Sequence, residues 1–202
     1  MSATKRCSTS PSASASGAPK CRARRDDVDD VGFVRAVVDR FGRPTIAIGY
    51  SNGGQLVHRL LHEVPGLLAG AVSIAGGLPV PEDFALEGTT PERVPLLILH
   101  GTADPVVTYE GGEARLLGRP RGRVRSARAT AEHYAGRPLI DGPAGEVERA
   151  EQDAVRLVTQ RGTGHVVPNR RSRPAPLLVG PSHRDLETGE EIEALFALSA
   201  HG

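Results

Sequence analysis

Residues Thr45–Gly54 read TIAIGYSNGG, and the architecture expected of the whole chain turns on this stretch. Thr45–Ile48 is a short, β-branched, nearly continuous apolar run, as expected of a strand buried on both faces. It leads into Gly49-Tyr50-Ser51-Asn52-Gly53, a match to G-x-S-x-G. Behind it, Leu56, Val57, Leu60, Leu61 and Val64 recur at helical spacing. Strand, sharp turn and helix form the context in which this pentapeptide is a nucleophile elbow rather than a chance Gly-Ser-Gly turn. The turn strains the serine backbone and crowds strand against helix, which calls for glycine on either side. The hydroxyl then stands above the sheet, at a helix N-terminus whose dipole favours developing negative charge.

The rest of the chain narrows the class of molecule. Its 202 residues suffice for one domain with a sizeable core, and a net charge of +1 points to neither nucleic acid nor membrane as a partner. No apolar stretch is long enough to span a bilayer. With 3% aromatic residues and no Trp there is no stacking platform for sugars or bases. Both cysteines, Cys7 and Cys21, lie near the N-terminus, so the remainder holds no disulfide framework and no cysteine metal site.

Residues 1–25 are rich in Ser, Ala, Pro and Arg and carry no acidic residue, a composition expected to be disordered. They lack the apolar core of a secretory signal, so the chain as written reads as cytoplasmic. Asp26 to Phe41 reads as a helix with Val31, Val34, Val38 and Phe41 on its inner stripe and Val37 beside it. Asp26, Asp27, Asp29 and Asp30 could pass for a metal site. Favourable charge at a helix start explains them more simply, and Gly42 and Pro44 end the helix.

Further on, Ala69–Ala75 and Pro95–His100 read as two more buried strands, with a proline-rich loop over 79–95. Gly118–Arg128 is strongly basic, and Arg125–Tyr134 reads as a helix. Glu146–Ala150 and Val155–Gln160 read as strands. Glu187–Leu198 reads as a closing helix with Ile192, Leu195, Phe196 and Leu198 facing inward. Strands alternating with helices imply an α/β domain over 26–202, a mostly parallel sheet with helices on both faces.

A serine hydroxyl is a weak nucleophile unless a base stands within hydrogen-bond reach and a third group fixes that base's tautomer. In parallel sheets reactive groups collect at the carboxyl ends of strands. Ser51, Asp104 and His165 all follow expected strands, and they occur in the order Ser, Asp, His. His100 lies inside its strand and reads as a packing residue or a support for a neighbour. His58 and His62, four apart on one helix, have the spacing of a zinc pair, but Arg59 stands where the H-E-x-x-H motif needs Glu and no third ligand is evident. Asp83, Asp141 and Asp185 have no strong strand before them. The run Arg119, Arg121, Arg123, Arg125 and Arg128 suggests a nucleic-acid binder, but without interleaved aromatics a solvated face is the better reading.

On four segments the chain resembles the polyhydroxybutyrate-depolymerase-like and feruloyl-esterase-like serine esterases of the α/β-hydrolase superfamily. They are DDVGFVRAVVDRFG (29–42), GYSNGGQ (49–55), LLILHGTADPVVTYEGG (96–112) and RGTGHVVPN (161–169). The resemblance implies an α/β-hydrolase fold with Ser51 as nucleophile, Asp104 as acid and His165 as base, and with no cofactor or metal. The backbone N–H of Asn52 is expected as one oxyanion donor. The substrate implied is a small-molecule ester or a polyester.

In such enzymes several strands, and a glycine-rich loop that supplies an oxyanion donor, precede the counterpart of Asp29–Gly42. Nothing before Asp26 has that character, so the expected domain is partial, lacking the usual first strands. This leads to the alternative that the chain is a weak or inactive remnant needing a partner or those strands. It also leads to the expectation that the Thr45–Ile48 edge is uncovered and open to self-association.

Overall fold

The computed structural model describes residues 28–171 and 174–197. The expected disorder of residues 1–25, both cysteines and Leu198 lie outside them. In chain order the elements are α1 (Asp30–Phe41), β1 (Ile46–Tyr50), α2 (Asn52–Glu63), β2 (Gly70–Ile74), β3 (Leu96–Gly101), β4 (Gly112–Leu116), β5 (Arg119–Val124), α3 (Ala127–Ala135), β6 (Ile140–Asp141), β7 (Val147–Gln152), β8 (Val155–Gln160), α4 (Pro176–Val179) and α5 (Thr188–Phe196). A short 3-10 turn, Pro81–Asp83, interrupts the proline-rich loop.

The main sheet has the order β1-β2-β3-β8-β7-β6. β1, β2, β3 and β8 are parallel neighbours, and β7 and β6 continue antiparallel. The central strand β3 is buried along its whole length. Leu96 and Ile98 join a core shared with α2 and α3, whereas Leu97 and Leu99 join a second core on the opposite face, where Ile192, Leu195 and Phe196 of α5 pack. That alternation of faces is the period-2 geometry of a strand covered on both sides. The mostly parallel sheet with flanking helices is therefore as expected.

Two expectations are corrected. The strand before the serine is Ile46–Tyr50, not Thr45–Ile48, and it is not buried on both faces: Ile48 is 56% exposed. The cause is its place at the sheet edge, where β2 is its one strand partner among the described residues. The inner stripe of α1 also rotates. Val31 is buried and Val34 packs against the core, but Phe41 is 72% exposed. The helix ends at Phe41, with Gly42 in the left-handed conformation and its N–H on the Val38 carbonyl. The last turn has thus run past the core when Phe41 is placed. The basic stretch, for which the sequence suggested no strand, carries a hairpin. β4 and β5 form an antiparallel hairpin turning through Leu117 and Gly118, both at positive φ.

The start of α1 shows why so many acidic residues gather there. Asp29 is the N-cap, its carboxylate accepting from the Gly32 N–H at 2.8 Å, and Asp30 lies in the first turn. Capping, rather than metal binding, accounts for both.

Candidate active site

The turn after β1 is built by steric necessity. Ser51 has φ 55° and ψ −117°, a left-handed backbone for a non-glycine residue, and its N–H donates to the Ile74 carbonyl at 2.8 Å. Gly49 has no room for a side chain, because the backbone of Gly53 and Gly54 fills the space. A Cβ on Gly54 would come within 2.8 Å of Ser73 Oγ and 2.9 Å of Gly76 Cα. Gly53, the last glycine of the motif, meets nothing within 4 Å. The close packing of helix on strand therefore rests on Gly49 and Gly54 rather than on Gly49 and Gly53.

Three residues distant in sequence meet at the carboxyl ends of β1, β3 and β8. His165 Nε2 is 2.8 Å from Ser51 Oγ, and His165 Nδ1 is 2.8 Å from Asp104 Oδ2. Asp104 and His165 are both buried, with exposures of 5% each. Asp104 Oδ1 accepts from the N–H groups of Val106 and Val107, each at 2.8 Å. His100, expected as packing or support, lies beside them. Its Nε2–H donates to the Val107 carbonyl at 2.8 Å and stands 3.3 Å from Asp104 Oδ2.

These contacts set the charge of Asp104. Burial is the largest single influence and pushes its carboxyl up. The hydrogen bonds from His100 and His165, the charge interaction with His165 and the Val107 N–H outweigh it, and the pKa falls to about 2. An ionised Asp104 accepts from His165 Nδ1–H, which leaves the Nε2 lone pair facing the Ser51 hydroxyl.

A cleft of about 400 Å³ adjoins His165, lined by Tyr50, Val166, Val167, Asn169, Pro174 and Val179. None of these side chains carries a charge. Tyr50 was not singled out from the sequence. It is the variable residue before the serine in the motif, and only that adjacency could have drawn attention to it. Asn52, the expected oxyanion donor, is the first residue of α2.

The other sequence candidates separate. His58 and His62 do not converge. Since the Gly76 carbonyl can only accept, His58 Nε2 carries the proton toward it at 3.3 Å and Ser73 Oγ at 3.1 Å, while Nδ1 accepts from the Tyr134 hydroxyl at 2.9 Å. His62 Nδ1 meets Thr89 Oγ1 at 2.8 Å and its Nε2 meets His133 Nε2 at 3.3 Å. The Arg125 guanidinium donates to His133 Nδ1 at 3.2 Å. Among the described residues no three His, Cys, Asp or Glu side chains are grouped to hold a metal ion. Arg119, Arg121 and Arg123 lie exposed on the hairpin, but Arg125 pairs with Glu87, and Arg128 with Glu132 and Asp141. Among the described residues no helix is long and apolar enough to cross a membrane.

The chain is similar to known proteins. The Phospholipase/Carboxylesterase family model matches residues 41–115, which include β1, the elbow and Asp104. A protein of Nocardia uniformis subsp. tsuyamanensis named as an esterase, NocK, is 31% identical over 209 residues, covering 87% of this chain. The chain spans 59% of that relative's length. The solved acetyl xylan esterase from Aspergillus awamori superimposes with a TM-score of 0.50 at 13% identity, over 84% of this chain and 66% of that one. At that identity the likeness speaks for the fold. With its mostly parallel sheet, flanking helices and strand–serine–helix turn, the chain has an α/β-hydrolase fold and is similar to these esterases.

Proposed function

We propose that this chain is a serine-dependent carboxylic ester hydrolase in which Ser51 is the nucleophile, His165 the general base and acid, and Asp104 the group that orients the base. The observation that carries the reading is the unbroken hydrogen-bonded chain from Ser51 Oγ through His165 to Asp104, 2.8 Å at each link, formed by residues 114 and 61 positions apart. The naming of NocK as an esterase supports it.

His165 Nε2 takes the Ser51 proton as Oγ attacks the ester carbonyl carbon. The resulting imidazolium is stabilised by the Asp104 carboxylate. Negative charge developing on the carbonyl oxygen is met by the N–H of Asn52 at the N-terminus of α2. Collapse of the tetrahedral intermediate breaks the bond to the alcohol, which leaves with the proton from His165. Water then enters, gives a proton to His165 and attacks the acyl-serine, releasing the carboxylic acid and restoring Ser51. The cleft beside His165 suits an uncharged group of a small ester or of a polyester chain.

The test is labelling with a fluorophosphonate probe together with hydrolysis of p-nitrophenyl esters and of a polyhydroxybutyrate suspension. Ser51→Ala and His165→Ala should each abolish labelling and most turnover, since such residues act as a unit. Labelling that persists in Ser51→Ala defeats the reading.

A further inference from the structure

We propose that Tyr50 is a positioning residue for the general base, its hydroxyl holding the backbone of His165 at the distance from Ser51 that proton transfer requires. The proposal rests on the assignment of Ser51 and His165 made above. Tyr50 Oη donates to the His165 carbonyl at 2.7 Å, across 115 residues of sequence. Its ring lies against the imidazole, with centroids 5.1 Å apart and planes tilted by 39°.

The place of Tyr50 gives this contact its meaning. It is the last residue of β1 and precedes Ser51 directly, so the strand that carries the nucleophile also reaches the base. Two links therefore join the serine turn to the histidine loop: Ser51 Oγ to the imidazole and Tyr50 Oη to the main chain behind it. On its other side the loop is held by main-chain bonds. The His165 N–H donates to the Val179 carbonyl at 2.5 Å, and the Gly164 N–H to the Pro181 carbonyl at 2.7 Å. Val179 ends the short helix α4 and Pro181 lies just beyond it, a modest anchor. The tyrosine bond instead ties the base to a strand of the main sheet.

The phenol is suited to this task at any working pH. Burial, then the negative charge of Asp104, push its pKa above the usual value, so it stays a protonated donor. A fixed base matters because a displacement of about 1 Å at a reacting group can cost on the order of a hundredfold in rate.

The ring also lines the cleft, so the hydroxyl must be tested apart from the ring. Tyr50→Phe does this by removing one oxygen from a residue that is 39% exposed. The full chain and this variant are compared for kcat and KM on a p-nitrophenyl ester, for the second-order rate of fluorophosphonate labelling, and for Tm. The expected result is a fall of about tenfold in kcat and in labelling rate, with KM changed less than about twofold and Tm within about 2 °C. A variant with unchanged kcat and labelling rate overturns the proposal while leaving the assignment of Ser51 and His165 intact. A loss of rate that vanishes once corrected for the folded fraction overturns it too. Labelling that persists in Ser51→Ala, or a wild-type chain that takes up no probe, overturns the assignment itself and this inference with it.

Discussion

The carbonyl of Gly53 occupies the space that a side chain on Gly49 would need. The two glycines of the motif are therefore unequal: one is required for lack of room, and the other is the neighbour that takes the room up.

The first prediction follows from that inequality. Gly49→Ala should leave no soluble active protein, because the atoms it meets are backbone and cannot move aside. Gly54→Ala should be nearly as damaging, since it meets Gly76 Cα at 2.9 Å. Gly53→Ala has open space around its Cβ, and alanine is the better helix former by about 0.8–1.0 kcal/mol in a helix interior. Expression and thermal melting of the three variants decide this. A Gly53→Ala chain that fails to fold while Gly49→Ala folds normally would contradict it.

Acid should destabilise the fold through His58. This side chain is 1% exposed and bonded as a neutral ring to Ser73, Gly76 and Tyr134. Burial, chiefly, lowers its pKa from 6.5 to about 4, with His62 and His133 adding repulsion. A folded-state value below the unfolded one favours the neutral form. The stability this provides is complete above pH 6.5 and is lost as pH falls from there toward 4. The loss amounts to about 3 kcal/mol over that window. His62, also lowered to about 4 by burial and by His133 and Arg125, adds in the same direction. Urea denaturation at pH 7, 6 and 5 measures the slope. His58→Gln, which removes the titrating group, should show a shallower decline than the wild-type chain, and equal slopes would rule His58 out as the cause.

His100 should matter for the loop that carries Asp104. Its Nε2–H serves the Val107 carbonyl at 2.8 Å, and the Val107 N–H in turn serves Asp104 Oδ1. His100→Leu leaves that buried carbonyl without its donor, at a cost of about 1–3 kcal/mol. His100→Gln can place an N–H near the same point and should recover most of the loss. Chemical denaturation of the two variants at pH 7 checks this, and equal destabilisation by Leu and Gln would show that ring packing against Tyr109, not the hydrogen bond, is what counts.

Much of the candidate site could be read from residue order, because its parts are local signals. Ser51 directly follows a strand whose apolar run is visible in the sequence, Asp104 and His165 lie in the loops just after two more, and parallel strands put those ends on one side of the sheet. β8 was expected at Val155–Gln160 and is found there, since its boundaries coincide with turns. The β4–β5 hairpin was not legible, because its strands are short, charged and mostly exposed and show no apolar alternation.

What the sequence determined by itself was thus the strand, turn and helix around Ser51 and the order in which Asp104 and His165 arrive behind it. Apolar period, glycine position and chain direction are local properties that need no partner. Only the tertiary structure decided that Phe41 faces outward, that Gly54 rather than Gly53 needs to lack a side chain, and that the Tyr50 hydroxyl meets the His165 backbone. Each of those depends on where a distant segment lies in space, and no spacing along the chain encodes a contact that packing creates across 115 residues.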